Sequence, residues 1–291
     1  MNIGIIGTGF LGKAVAIRLL STGHKVIVYN RTKNKAESLK NIGAIVVDTP
    51  KDLAQACDLV ITIVKDSEAV ESVSFDKNGI IHGKHEGLTV ADMSTISPIS
   101  SQKIAKRFLE NGISMIDTPV MGGPRLAEKG ELVVMIGGKK EVYEKYKHVF
   151  DHIGNKTFYL GENGSGHAMK LAMNLQISIL AIALSEGIIL SKKAGLDPCK
   201  FLEVLNSTYF KTGMSINKGP KMAAGSFEPS FTLKMMKKDL DIINDSAKGL
   251  EVYLPMAALA GEIYQSAQDS GFGEIDYTGI LAFLKKASHL H

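Results

Sequence analysis

The sequence predicts an α/β protein: a doubly wound parallel sheet in the N-terminal half, an all-α domain in the C-terminal half, and a long interdomain helix joining them. Three observations carry this reading. A glycine-broken strand–helix run opens the chain, short apolar strands alternate with helical stretches as far as residue 160, and from Gly166 the pattern changes to unbroken helical periodicity. At 291 residues the chain is longer than the ~250 at which a single core usually stops growing. The division expected is residues 1–162 and residues 163–291.

The first element is the run MNIGIIGTGFLGKAVAIRLL, residues 1–20, an apolar strand that breaks at Gly7, Gly9 and Gly12 and continues as an amphipathic helix. Gly7 permits a tight turn, Gly9 lets backbone approach a pyrophosphate, and Gly12 lets the helix pack closely on its strand, with helix N-terminal amides facing the phosphates. This is a Rossmann-type dinucleotide cradle. The next strand, Lys25–Tyr29, ends in Asn30-Arg31-Thr32, where an NAD site usually carries an acidic residue for the ribose 2′-hydroxyl. No carboxylate stands there. The planar fork of Arg31 suits adenine stacking and a 2′-phosphate, while Asn30 and Thr32 offer neutral hydrogen bonds, so the cofactor expected is NADP(H), with NAD less preferred.

Further strands are expected at residues 44–47, 59–64, 88–92, 114–118, 133–137 and 157–160, completing the doubly wound pattern. Residues 168–193 then run without proline and with only Gly187 as interruption. A helix of about 27 residues is roughly 40 Å long, longer than a small domain is wide, which suits a spine for a second subunit. A homodimer or homotetramer is expected. There is no internal repeat.

Composition excludes several functions. Hydrophobic content is 45%, charged content 22%, and the formal net charge of +4 is spread along the chain, so no nucleic-acid module is read, although a mildly basic surface suits anionic ligands. The apolar start is interrupted by glycines and lacks a basic leader, so neither secretion nor membrane insertion is expected and the protein is placed in the cytoplasm. Cys57 and Cys199 lie far apart and are read as buried small hydrophobes with no disulfide. The eight histidines form no HExxH and no clustered ligand set, and the tail His289-Leu290-His291 is expected to fray rather than bind metal. Catalysis without metal follows.

A nicotinamide enzyme needs a substrate anchor and a proton donor for the oxygen whose carbon exchanges hydride. DMSTISP, from Asp92, places hydroxyls at a strand's carboxyl end, where open α/β sheets bind ligands, although Ser and Thr before Pro also start helices. DTPVMGGP, from Asp117, offers Gly122 and Gly123 as successive amides for a carboxylate, or as an ordinary glycine turn. GSGHAMKLAMN puts Lys170 and Asn174 on one helical face, where Lys170 suits an interdomain cleft and desolvation would make it a proton shuttle near neutrality. His167 is a weaker candidate for that role, in the first turn of the helix, where capping or solvent exposure is the commoner explanation. In FTLKMMKKDL, Lys238 and Asp239 stand on an otherwise mostly apolar helix, and Lys238 is a further candidate for the cofactor or the substrate carboxylate.

These segments in this order resemble the β-hydroxyacid dehydrogenases, the family of 3-hydroxyisobutyrate dehydrogenase and of the glyoxylate/succinic semialdehyde reductases, over essentially the whole chain. The resemblance implies a C-terminal domain like that of 6-phosphogluconate dehydrogenase. It implies that Lys170 is the general acid/base, that Asn174 positions it or the substrate, and that Gly122 and Gly123 anchor a carboxylate. It places Thr8, Phe10, Leu11, Val64, Lys65, Thr95 and Lys238 on the cofactor, and Ser94, Thr95, Met121, Lys238 and Asp239 on the substrate. KGPKM, FEPSFTLKMMKKDL and GFGEIDYTGIL resemble the glyoxylate and succinic semialdehyde reductase branch. The activity implied is reduction of a short carboxylated aldehyde by NADPH. The alternatives are oxidation of 3-hydroxyisobutyrate, 3-hydroxypropionate or serine, or a noncatalytic dinucleotide-binding module, against which Lys170 and Asn174 argue. One departure is Met121, where the family commonly has Ser; Arg125 is then a candidate partner for a distal acid group.

Overall fold

A computed structural model describes residues 1–290; His291, part of the tail read above, lies outside the described residues. By internal contacts the chain divides into Met1–Leu171 and Ala172–His291. In the first unit, β1 (Asn2–Ile6), α1 (Phe10–Ser21), β2 (Lys25–Tyr29), α2 (Lys33–Glu37) and β3 (Ile45–Val46) are followed by α3 (Pro50–Ala56), β4 (Leu59–Thr62), α4 (Ser67–Phe75), β5 (Thr89–Asp92), α5 (Pro98–Glu110) and β6 (Ser114–Asp117). These strands form one parallel sheet in the order β3-β2-β1-β4-β5-β6. The strand order reverses between β1 and β4, and the carboxyl ends there form the crevice in which open α/β sheets take ligands.

The apolar runs exist because both faces of this sheet are covered. In β1, Ile3 and Ile5 pack with Ala14, Val15 and Leu19 of α1 and with Tyr146 and Phe150 of α7 (Lys140–Ile153). Ile6 turns to the other face, with Leu53 of α3, Val70 of α4 and Phe108 of α5. Burying one such aliphatic side chain stabilises the fold by about 1.5–3 kcal/mol, which is why strands covered on both faces lose their polar alternation.

The expected strands at 133–137 and 157–160 exist as β8 (Leu132–Ile136) and β9 (Gly154–Tyr159), but they do not extend the large sheet. They form a second sheet, β7-β8-β9, with β7 (Val120–Met121) antiparallel to β8. β7 was not expected, because two residues between Pro119 and Gly122 carry no periodicity. α6 (Pro124–Lys129) follows it.

α8 (Ser165–Lys193) is the long helix, begun three residues earlier than its pattern suggested. By length and apolar composition it would suffice to cross a membrane. Its first turns are instead built into the first unit, with Gly166 and His167 buried and the Lys170 amine bonded to the Val120 carbonyl. The second unit continues with α9 (Pro198–Asn206), α10 (Gly213–Asn217), α11 (Gly219–Ala223), α12 (Leu233–Gly249), α13 (Pro255–Ala267) and α14 (Ile280–Ala287). Leu184 and Ile188 of α8, Leu202, Met222 and Leu281 form a core within it. Asp276 is buried between α13 and α14, where it receives Lys218 Nζ at 3.0 Å, Ser230 Oγ at 2.9 Å and Thr278 Oγ1 at 2.7 Å. Cys57 is buried as expected, and burial followed by the charge of Asp58 pushes its thiol up to about 12. Cys199 is exposed, contrary to expectation, because it falls in the first turn of α9 just after its cap, Asp197.

Candidate active site

The glycine loop has the geometry its spacing implied. Gly7 has φ +99°, its amide donates to the Tyr29 carbonyl at 2.9 Å, and a Cβ there would stand 2.2 Å from the Ile63 carbonyl oxygen. A Cβ on Gly12 would stand 1.9 Å from the Gly7 carbonyl oxygen, so α1 packs directly on the loop. At Gly9, the N-cap of α1, a Cβ would meet nothing within 4 Å. Together with a first helical turn free of acidic residues, this leaves a cradle that suits an anion at the positive end of the helix dipole. The residues fit a dinucleotide pyrophosphate.

Around that loop, Thr8 is buried and its amide donates to Asn30 Oδ1 at 3.0 Å, while Asn30 Nδ2 donates to the Thr32 carbonyl at 2.9 Å. Arg31 and Thr32 are exposed beside it, as is Phe10, and Leu11 packs on the core. Val64 is half-buried, and its amide donates to Ser94 Oγ at 3.0 Å. Lys65 is exposed and pairs with Asp66 at 3.3 Å. Ser94, read as a substrate contact, is buried, and its hydroxyl clips β5 to the end of β4, donating to the Thr62 carbonyl at 3.4 Å. Thr95 is half-buried next to it. The helix-starting reading of this segment holds for Ser97, whose hydroxyl caps α5.

The second segment meets the third inside the first unit. Lys170 Nζ donates to the Val120 carbonyl at 2.7 Å and lies 3.3 Å from Met121 Sδ. Gly122 follows with φ +121°, and a Cβ there would clash with Leu132 at 2.7 Å; Gly123, at the start of α6, is open, as is Arg125. In the second unit Asn174 is buried and its Nδ2 donates to Asp239 Oδ2 at 2.5 Å, and the other oxygen of Asp239 takes Lys238 Nζ at 2.7 Å. Asp239, read as a substrate contact, is itself buried and holds Asn174 and Lys238 in a defined relation.

Comparison with known proteins decides what this arrangement belongs to. Residues 2–161 match the NAD binding domain of 6-phosphogluconate dehydrogenase, and residues 164–284 match the NAD-binding region of NADP-dependent 3-hydroxyisobutyrate dehydrogenase. Over 287 residues the chain is 35% identical to glyoxylate/succinic semialdehyde reductase 2, chloroplastic, of Arabidopsis thaliana, an alignment covering 99% of this chain and 80% of that protein. The chain belongs to the β-hydroxyacid dehydrogenase family. Its fold is similar to that of 3-hydroxyisobutyrate dehydrogenase (ygbJ) from Salmonella typhimurium, with TM-score 0.89, 26% identity and coverage of 97% of this chain and 99% of that one. It is equally similar to Psf3 in complex with NADP+ and 2-OPP, with TM-score 0.90, 25% identity and the same two coverages. A β-hydroxyacid dehydrogenase is an oxidoreductase with an NAD(P)-binding N-terminal domain.

One cluster of this β-hydroxyacid dehydrogenase escaped the sequence reading. His167, expected at the surface or as a cap, is fully buried, with Nε2 3.4 Å from Asp92 Oδ2 and 3.8 Å from Asp117 Oδ1. Asp92 and Asp117 are register partners at the ends of β5 and β6. Burial opposes the charge of Asp92, but the hydrogen bond and charge of His167, with Thr62 and Ser94, outweigh it and hold the carboxyl below its ordinary range. The available signal was two strands each ending in Asp, since a carboxylate at a buried strand end demands a partner. Elsewhere His24 Nε2 and His152 Nδ1 lie 2.8 Å apart, with the His148 ring 6.4 Å from that of His24. Among the described residues no group of three or more His, Cys, Asp or Glu is disposed to hold a metal ion.

Proposed function

We propose that this chain is an NADP(H)-dependent reductase of short carboxylated aldehydes such as glyoxylate and succinic semialdehyde, with Lys170 as general acid. The observation that carries the reading is the Lys170 ammonium, held at 2.7 Å on the Val120 carbonyl in the segment that runs into Gly122 and Gly123. The proposed proton donor thus contacts the segment whose next two residues offer a pair of amides suited to a carboxylate. The name of the Arabidopsis relative supports the substrate class, and the NADP+ complex of Psf3 supports the cofactor.

Gly7, Thr8, Gly9, Phe10, Leu11 and Gly12 would hold the pyrophosphate side of the dinucleotide, and Arg31 with Asn30 and Thr32 its 2′-phosphate end. Val64, Lys65, Thr95 and Lys238 are assigned to the rest of the cofactor. When bound, the nicotinamide supplies the hydride. The amides of Gly122 and Gly123 take the substrate carboxylate, and Lys170 gives its proton to the oxygen as negative charge develops there. A positioned donor of this kind contributes about 10²- to 10⁴-fold to rate. Asp239 orients Asn174 and Lys238, to which we assign substrate and cofactor contacts. The long α8 is assigned to association with a second copy.

Initial rates on glyoxylate, succinic semialdehyde, 3-hydroxyisobutyrate, 3-hydroxypropionate and serine, each with both nicotinamide cofactors, test the reading. NADPH-dependent aldehyde reduction is expected to be fastest. Faster oxidation of a hydroxyacid would replace the proposed substrate class. A Lys170→Met variant is expected to bind NADPH, read by fluorescence, and to lose turnover by about 10²-fold or more; turnover near wild type would remove Lys170 from the role.

A further inference from the structure

The cluster beneath the proposed proton donor has work that the reaction does not yet assign. Asp92 and Asp117 sit side by side on adjacent parallel strands, and both are fully buried. Strands in a sheet run about 4.8 Å apart, so two ionised carboxylates at this separation and depth repel strongly unless a cation lies against them. The geometry supplies a side chain that is a cation when protonated. The ring of His167 is fully buried, with Nε2 within 4 Å of an oxygen from each. Asp92 from β5 and Asp117 from β6 face it, and Lys170 lies one turn further along its own helix.

The rest of the network ties the helix down. Asp117 Oδ2 accepts the amides of Gly164 at 2.6 Å and Gly166 at 3.2 Å, at the start of α8, and Oδ1 accepts Ser101 Oγ at 2.6 Å. A Cβ on Gly166 would stand 2.8 Å from Asp117 Cβ, so the helix sits directly on the strand end. Asp92 Oδ1 accepts Thr62 Oγ1 at 2.6 Å and the Ser94 amide at 3.2 Å, in the segment whose Ser94 hydroxyl also receives Val64 N.

Two rungs result. Asp117 and Val120 are three residues apart on one segment, and His167 and Lys170 are three apart on α8, where i and i+3 share a face. His167 meets Asp117 at one end, and Lys170 Nζ meets the Val120 carbonyl at the other. We propose that His167, as a buried imidazolium held between Asp92 and Asp117, is a positioning residue that fixes the rotation of the first turns of α8 and thereby the aim of the Lys170 amine. Its catalytic consequence rests on the reading of Lys170 as proton donor; the placement of the amine does not.

The test uses the full chain saturated with NADP+. In ¹⁵N-histidine NMR, one ring is expected to keep both nitrogens protonated from about pH 5 to about pH 8, beyond the ordinary histidine range, and that signal is expected to vanish in His167→Gln. After reductive ¹³C-methylation, the Lys170 resonance, assigned by its absence in Lys170→Met, is expected to stand apart from the solvent-exposed lysines and to move toward them in His167→Gln. In steady-state assays the same variant is expected to lose about tenfold or more in kcat, with the aldehyde KM and the NADPH Kd within about threefold. A folded His167→Gln with unmoved Lys170 resonance and kcat within twofold of wild type overturns the proposal, as does a neutral His167 ring at neutral pH. Should His167→Gln not fold, Asp92→Asn carries the test, with the doubly protonated ring expected to lose its second proton within the ordinary histidine range and the Lys170 resonance and kcat expected to change in the same directions. Should the wild type reduce no aldehyde, the functional reading fails while the two resonances still decide the placement.

Discussion

Asn30 serves its own loop before any ligand, since both ends of its amide are engaged, with the Thr8 amide and the Thr32 carbonyl. An Asp at that position keeps the acceptor for Thr8, gives up the one exposed bond to the Thr32 carbonyl, and adds a carboxylate at the end of β2, where it favours a ribose 2′-hydroxyl and repels a 2′-phosphate. Asn30→Asp is therefore expected to fold normally and to lower the NADPH-to-NADH ratio of kcat/KM by about tenfold or more, the scale of ~1.4 kcal/mol of differential binding. An unchanged ratio would take the 2′-end of the cofactor away from this loop. Met121 calls for a separate argument. Its thioether lies 3.3 Å from the Lys170 amine, where a Ser would offer a hydroxyl to a carboxylate. Because a hydrogen bond to a charged group is worth about 1.5–3 kcal/mol, Met121→Ser is expected to lower the KM for glyoxylate by about tenfold, measured at saturating NADPH. The glycines and Lys170 were legible in the sequence because glycine spacing and a basic residue on an apolar helix each have a local meaning. His167 was not: its meaning comes from two carboxylates some 50 and 75 residues away, brought together only by the register of β5 on β6.

Elements were legible where their periodicity was long. β2 was placed to the residue, and α8 to within a turn, because apolar residues repeat through both. β8 and β9 were found but assigned to the wrong sheet, since their neighbours are set by the short β7, which lies between Pro119 and Gly122 and is too brief to carry a pattern. In the second unit, the segments KGPKM, FEPSFTLKMMKKDL and GFGEIDYTGIL share one interaction. Lys218 from the first and Ser230 from the second converge with Thr278 on the carboxylate of Asp276, the third segment supplying both Asp276 and Thr278. Burial raises the pKa of Asp276, but the charge of Lys218, the Thr278 and Lys218 hydrogen bonds and the Ser230 amide reverse this and hold it below the ordinary carboxylate range. Replacing the carboxylate by an amide removes the charge paired with Lys218 and turns one of the two accepting oxygens into an NH2 donor that faces other donors. Asp276→Asn is expected to destabilise the second unit by about 1–3 kcal/mol, discounted because Lys218 remains 27% exposed. The measurement is urea unfolding followed by hydrogen exchange of α12 and α14; exchange unchanged in both helices would remove Asp276 from that role.

At the scale of the whole chain, each unit carries its own sensitivity to acid and to base. Asp92 in the first unit and Asp276 in the second are held below the ordinary carboxylate range, so the unfolded chain binds protons on them more readily than the folded chain does. Their contribution is present above about pH 4, the unfolded carboxylate value, and is lost as pH falls through the folded values. The basic side works in the opposite sense. Cys57 in the first unit is pushed up to about 12, by burial and then by Asp58. Burial likewise raises Tyr264 and Tyr277 in the second, with further help from Asp276. Above the unfolded values, about 8.5 for Cys and about 10 for Tyr, the unfolded chain loses these protons while the folded chain keeps them, so stability falls as pH rises. Urea unfolding free energies are therefore expected to be highest between about pH 5 and about pH 7 and to decline on both sides, the His167 proton that the unfolded chain releases above about pH 6.5 beginning the alkaline decline. The thiol adds to the alkaline limb above about pH 8.5, with a limiting slope of about 1.4 kcal/mol per pH unit for one linked proton. Cys57→Ala is expected to flatten that limb between about pH 9 and about pH 10 and to leave the steeper tyrosine-linked decline above it. An alkaline limb identical in Cys57→Ala and wild type would mean that the thiol ionises alike in both states, and that its burial is relieved before it titrates.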